Sequence, residues 1–209
     1  MRTFMRAVIN VALVGGLVVT SGCSRDEPQK RFRLLVDVDT PEGLRSGVGV
    51  IGYTRRHRPS IQSPTGVRLE TRVDAEAVAV DMPDGRTLYM LHTQRGFPDH
   101  LVFLLARLNP GRDKITLIAP EDYPTFVMFS NPLDPASVRQ VDPAALDAAF
   151  GRGYRLLRVA VAITKDPISR TIIDRLPWVK TVPDKLSDRS AGGFTLADSL
   201  TALDFYRKD

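Results

Sequence analysis

The sequence predicts an α+β fold, mainly antiparallel β-sheet in its first half with two to four short helices in its second half. Three observations carry this. Residues 31–39, RFRLLVDVD, put Phe32, Leu34, Val36 and Val38 on one face and Arg33, Asp37 and Asp39 on the other, the period of a half-buried strand. The PDG at 83–85 is a hairpin turn signal between two further strand-like runs. Leu101, Leu104, Leu105 and Leu108 then recur at helical spacing.

In chain order, TPEGLRSG after the first strand places Pro41 and Gly43 at turn spacing. VGVIGYT reads as a second strand, and Gly47, Gly49 and Gly52 suggest a bulge or a second backbone packed close against it. Residues 55–66, RRHRPSIQSPTG, read as a basic, proline-containing loop. VRLETRVD alternates again, with Val67, Leu69, Thr71 and Val73 on one face. AEAVAVDM and RTLYMLH flank the hairpin turn, giving about five antiparallel strands in the first half.

The leucine-rich helix starts at Pro98 and Asp99 and stops at Asn109, Pro110 and Gly111. ITLIA and TFVMFS read as strands. Asp142 before Pro143 predicts an N-cap with proline in the first turn, and Gly151 predicts the end of that helix. YRLLRVAVAIT is the longest strand signal, with Leu157, Val159, Val161 and Ile163 on one face. Asp166 and Pro167 repeat the cap-and-proline device ahead of a short helix ending before Pro177 and Trp178. Residues 183–193 read as a loop, and Leu196–Tyr206 as an amphipathic piece that docks back.

The N-terminus carries a different message. Arg2 and Arg6 precede Ala7–Thr20, which is apolar or small except for Asn10. A basic start and an apolar run of this length describe a secretory signal peptide, too short for a span of about 20 residues. Ser21 and Gly22 lead into Cys23, the only cysteine of the chain. This segment resembles the lipobox of bacterial lipoproteins, with Thr20 where that motif usually has a bulky aliphatic. The resemblance implies a diacylglycerol on the Cys23 sulfur and a new N-terminus there. Lipid attachment also removes an oxidisable thiol from an exported chain. The organisation expected is a signal peptide over 1–22, a lipidated tether over 23–30 and one globular α+β domain over 31–209.

Composition limits what that domain does. Removing 22 of 209 residues leaves 187, enough for a core without disulfide staples. The whole chain has 29 basic and 24 acidic residues; the leader holds two of the arginines and no acid, so the rest carries 27 against 24, a net +3. That is too weakly basic to argue for nucleic acid. Hydrophobic content of 43% with 25% charged residues belongs to a folded chain.

The segments VDTPEGLRSG, AEAVAVDMPDGRTLY, FSNPLDPASVRQVDPAALDAAFGRGYRLLRVAVAIT and RLPWV together resemble a family of uncharacterised bacterial proteins described only as hypothetical proteins or lipoproteins. The resemblance runs from about Arg31 onward. It implies a shared fold and no activity, substrate or catalytic residue.

No catalytic motif stands out. There is no GxSxG, and GVGVIG lacks the GxGxxG spacing, so no cofactor is expected. His92, Asp99 and His100 match no ligand spacing, and Asp37, Asp39 and Glu42 read as a solvated sheet face, so no metal is expected either. Arg55, Arg56 and Arg58 are the candidate anion-binding residues, because clustered guanidinium groups pair with phosphate or carboxylate. Trp178 reads as a core plug. The expectation is a non-catalytic binding module of the cell envelope. It is held to the membrane through Cys23, faces the periplasm, and recognises an envelope protein or anionic polymer. By the sorting rule for the residue after the cysteine, Ser24 favours the outer membrane. The alternative is a hydrolase using a histidine-containing site.

Overall fold

The strands predicted from alternation assemble into two antiparallel sheets in the computed structural model, which describes residues 25–94, 97, 99–111, 114–182, 185–187 and 195–209. The larger sheet contains β1 (Arg25–Asp26), β2 (Lys30–Thr40), β3 (Gly43–Pro59), β4 (Val67–Glu76), β7 (Thr116–Leu117), β10 (Arg155–Ile163) and β11 (Tyr206–Lys208). Its order is β11-β4-β3-β2-β10-β7, with β1 running beside β3 beyond the start of β2. The smaller sheet contains β5 (Val78–Asp81), β6 (Thr87–Met90), β8 (Phe126–Phe129) and β9 (Val138–Val141), in the order β5-β6-β8-β9.

The alternation of β2 is realised as read. Phe32, Leu34, Val36 and Val38 are buried, and Arg33 is exposed. Asp37 is also buried, and Arg158 Nε and the Ser46 hydroxyl each donate to it at 2.6 Å. Across from Val36 and Leu34 stand Gly47 and Gly49. These glycines mark a close approach of a second backbone. A Cβ on Gly47 would lie 2.4 Å from the Ala79 carbonyl oxygen, and one on Gly49 would lie 2.9 Å from Val78 Cγ2. β5 therefore crosses directly over β3.

The chain passes from the large sheet into the small one at Ala77, between β4 and β5. The small sheet is buried on both faces. Val78, Val80, Leu88, Met90 and Phe126 join the core shared with the large sheet. Ala77, Tyr89, Leu91, Val127 and Phe129 join a second core. Two-sided burial explains why LYML at 88–91 is continuously apolar where β2 alternates. The second core is closed by residues 172–205: Ile172, Leu176, Trp178, Leu200 and Phe205 pack there. Trp178 lies edge-on to Phe129 and Phe205, and its indole donates to the Pro132 carbonyl at 2.9 Å. Each such buried side chain stabilises by roughly 1.5–3 kcal/mol.

Among the described residues there are three α-helices: α1 (His100–Leu108), α2 (Leu146–Phe150) and α3 (Ile172–Arg175). α1 ends where predicted, with Asn109 left-handed at φ 41° and its N–H on Leu105 O. α2 stops at Gly151, φ 106°. The two Asp-Pro helix starts are misplaced. Asp142 accepts the Ala144 N–H at 2.9 Å, a local side-chain turn, and α2 begins only at Leu146. Asp166 starts no helix; its carboxylate pairs with Arg33, whose Nε donates at 3.0 Å. Aspartate bonding its own chain two residues on gives a turn as readily as a cap. The amino end of α3 is capped from far away: buried Glu76 accepts the Thr171 and Ile172 amides at 3.1 and 3.0 Å.

Two more readings shift. Leu157 is exposed, because a bulge between Leu156 and Arg158 breaks the alternation of β10. Residues 196–206 fold as two short 3-10 turns, each with a capping box from Thr195–Asp198 and Thr201–Asp204, followed by β11. The predicted loop over 183–193 lies mostly outside the described residues; within it, Lys185 bridges to Thr201.

Candidate functional site

The basic segment is a strand and not a loop. β3 outruns β2, whose pairing ends at Lys30 opposite Tyr53. From Thr54 to Pro59 it pairs with β4, from Thr54 opposite Arg72 to Pro59 opposite Val67. On its other side it meets β1, with Asp26 opposite Arg56 and Arg25 opposite His57. Residues 60–66 close the hairpin, where Ser60 N–H donates to Gly66 O at 2.9 Å and Gly66 takes φ 70°. Among the described residues, none from 54 to 72 belongs to either core. The result is a β-arm extending beyond the packed body.

Strand geometry divides the arginines. Side chains alternate faces, so Arg56 and Arg58 share one face with their cross-strand partners Glu70 and Arg68, and with Arg72. Arg55 and His57 share the other with Thr71 and Leu69. Arg55 lies over the Tyr53 ring, 5.8 Å from its centroid. Arg56 Nε is 3.3 Å from Asp26 Oδ2, at an angle that gives an ion contact and no hydrogen bond. Arg58 Nε lies 3.6 Å from Glu70, and His57 Nε2 lies 3.5 Å from Glu27. Arg68 has no ion-pair partner among the described residues. At the root of the arm, Arg56, Arg72, Asp74 and Asp209 line a small cleft of about 110 Å³. The three predicted anion-binding arginines therefore sit on one element but on two faces. The arginine surface is the face of Arg56, Arg58, Arg68 and Arg72.

A second concavity, about 390 Å³, is lined by His92, Thr93, Thr201, Asp204, Arg207 and Asp209. His92 is 3% exposed and its Nε2 has no hydrogen-bond partner. The ring bonds the Leu203 backbone, which must be through Nδ1 and leaves Nε2 as a lone-pair acceptor. Burial pushes the His92 pKa down to about 4. Asp204 accepts the Thr93 hydroxyl at 2.6 Å and the Thr201 amide and hydroxyl at 2.7 and 2.9 Å. Arg207 spans Asp99 and Asp209, each at 2.8 Å.

The other clusters are self-satisfied. His100 Nε2 is 2.9 Å from the Asp122 carbonyl, and Asp99 belongs to Arg207, so His92, Asp99 and His100 do not converge. Asp37, Asp39 and Glu42 each face an arginine: Arg158, Arg155 and Arg45. Among the described residues no three His, Cys, Asp or Glu side chains form a metal set. Cys23 lies outside the described residues, two positions before β1. No helix among them is long and apolar enough to cross a membrane.

The sequence concealed the arm because Val67, Leu69 and Val73 read as one buried face. Only Val73 is buried. The available signal was RRHR itself, since four consecutive polar residues leave neither face of a strand apolar.

Comparisons of the chain with protein-family models, with curated proteins and with solved structures each returned no match.

Proposed function

We propose that this chain is a lipoprotein of the bacterial cell envelope, tethered through Cys23 and facing the periplasm, whose domain binds an anionic partner and does not catalyse. The observation that carries the reading is the apolar run Ala7–Thr20 closing in Ser-Gly-Cys. The arginine face of the arm supplies the binding surface, because guanidinium groups pair bidentately with carboxylate or phosphate. The partner class is an envelope protein or an anionic polymer, and Ser24 favours delivery to the outer membrane. The histidine contacts favour binding over hydrolysis: they go to the Leu203 backbone, Glu27 and the Asp122 carbonyl, and among the described residues none is to a hydroxyl nucleophile.

Membrane fractionation tests the tether. Cys23→Ala should stall processing or release the protein from membranes; unchanged processing and retention would overturn the lipoprotein assignment. Replacing Arg55, Arg56 and Arg58 together with glutamine should lower partner recovery in a pull-down, with the circular dichroism spectrum unchanged. Recovery by the native chain should fall with added salt, since exposed charges are screened over about 8 Å at physiological ionic strength.

A further inference from the structure

The arm carries more than charge. The alternation that buries Tyr53 and Val73 continues past the edge of the core, to Leu69 and to Val67, which stands opposite Pro59. Nothing in the described structure covers them: Leu69 is 52% exposed and Val67 42%. Ile61, in the closing loop, is fully exposed. On the reverse face lie Arg56, Arg58, Arg68 and Arg72. Residues 54–72 hold five arginines and one acid, Glu70. The arm thus carries an apolar outer end, Ile61, Val67 and Leu69, with Arg55 and His57 on the Leu69 face and the other four arginines on the reverse, in a domain whose remaining polar clusters are largely self-paired.

The path of the chain places this ribbon. Arg25 pairs with His57 on the arm itself. Cys23 is two residues earlier, and two residues of extended chain reach no more than about 7 Å. A lipid on Cys23 therefore holds the bilayer surface close to the arm.

We infer that the arm is a membrane contact, seated in the same bilayer that holds the tether. Ile61, Val67 and Leu69 enter the boundary between headgroups and acyl chains, and the arginines pair with phosphates of anionic lipid. Apolar area supplies insertion and basic residues supply attraction to an anionic surface, the two terms that hold amphipathic segments at interfaces. Long arginine side chains lay their stems along apolar surface while keeping the charge at the headgroups. The tether would then fix the molecule to the membrane, and the arm would set its orientation. This rests on the lipoprotein tether proposed above and adds anionic lipid, beside the protein or polymer partner, as a ligand of the arginine face.

The test uses the full-length chain purified with its lipid and reconstituted into vesicles of phosphatidylglycerol and phosphatidylcholine, with and without bromine on the acyl chains. One variant is Ile61→Trp. The control is Leu44→Trp, exposed at the opposite end of β3, about 50 Å of strand away. Trp178, buried in the second core, gives a constant background. Brominated lipid should quench the added fluorescence of Ile61→Trp by about twofold, as a residue at the acyl boundary requires, and leave Leu44→Trp unchanged. Adding Arg56→Gln, Arg58→Gln and Arg68→Gln to Ile61→Trp should weaken that quenching. Absence of quenching, or equal quenching at both positions, overturns the proposal. A response of Ile61→Trp to soluble polyphosphate but not to the bilayer also overturns it, and assigns the arm to a polyanion. The mass of the Cys23 peptide is read separately. A lipidated peptide without quenching sinks the membrane contact alone, and quenching by added vesicles without lipidation sinks the tether alone.

Discussion

At the scale of the residue, His92 is the side chain with the most unusual surroundings. It is buried with one nitrogen on the Leu203 backbone and the other without a partner. An unfolded histidine titrates near 6.5, and burial lowers the folded value to about 4. Between these values the unfolded chain binds the proton and the folded chain does not, so stability falls as pH falls through that window. Above 6.5 both states are neutral and the group contributes no pH dependence. The groups facing it are Asp204 and Asp209, which favour its protonation, and Arg207, which opposes it. The expected loss from pH 7 to pH 4 is about 3 kcal/mol. Urea midpoints at pH 7, 5.5 and 4.5 check this. In His92→Leu the acid slope over this range should flatten, and an unchanged slope would place the titrating group elsewhere.

At the scale of the element, the crossing of β5 over β3 depends on Gly47. A methyl group there would meet the Ala79 carbonyl and Val80, and the backbone oxygen has no rotamer to yield with. Gly47→Ala should cost about 1–3 kcal/mol, the usual price of overpacking, seen as a lower midpoint in denaturant with the same spectrum. Gly43→Ala is the contrasting case: its Cβ would meet nothing, and any cost comes from φ 108° alone. The glycines of GVGVIG and the αL stop at Asn109 were legible in the sequence because each reports a local backbone demand. Asp142 misled because a side-chain turn and a helix cap use the same first hydrogen bond, and Asp166 because its carboxylate is taken by Arg33 from a distant strand. The bulge at Leu156–Arg158 was not legible, since its cause is pairing with β2, more than a hundred positions away in the chain.

At the scale of the whole molecule, the arm and the body are separable. Tyr53 and Val73 are the last core residues on β3 and β4, and everything between them lies outside both cores. Replacing residues 55–71 with a two-residue Asn-Gly turn between Thr54 and Arg72 keeps their observed register. The shortened protein should keep its melting temperature within a few degrees, about 1 kcal/mol for a domain of this size, and lose the lipid contact proposed above. A large drop in melting temperature would make the arm part of the folding unit. The strand character of one side of the arm was legible in VRLETRVD, but that of RRHRP, which reads as a loop, and the position of both beyond the core were not. Alternation reports which side chains share a face and is silent on whether anything covers that face.

The pairing of β2 has a kinetic consequence. One edge is satisfied by β3 in a hairpin closed by a short turn, so Val36 finds Gly47 early and cheaply. Its other edge waits for β10, where Val36 lies beside Val159. Loop closure over that span is slow relative to hairpin formation. Until it happens, the central strand of the large sheet offers a row of unpaired amides and carbonyls beside four exposed apolar side chains, a template for any other chain nearby. A chain caught between the two pairings exposes that edge, so light scattering during refolding should rise when substitutions in β10 delay its docking; unchanged scattering would mean that both edges of β2 pair together.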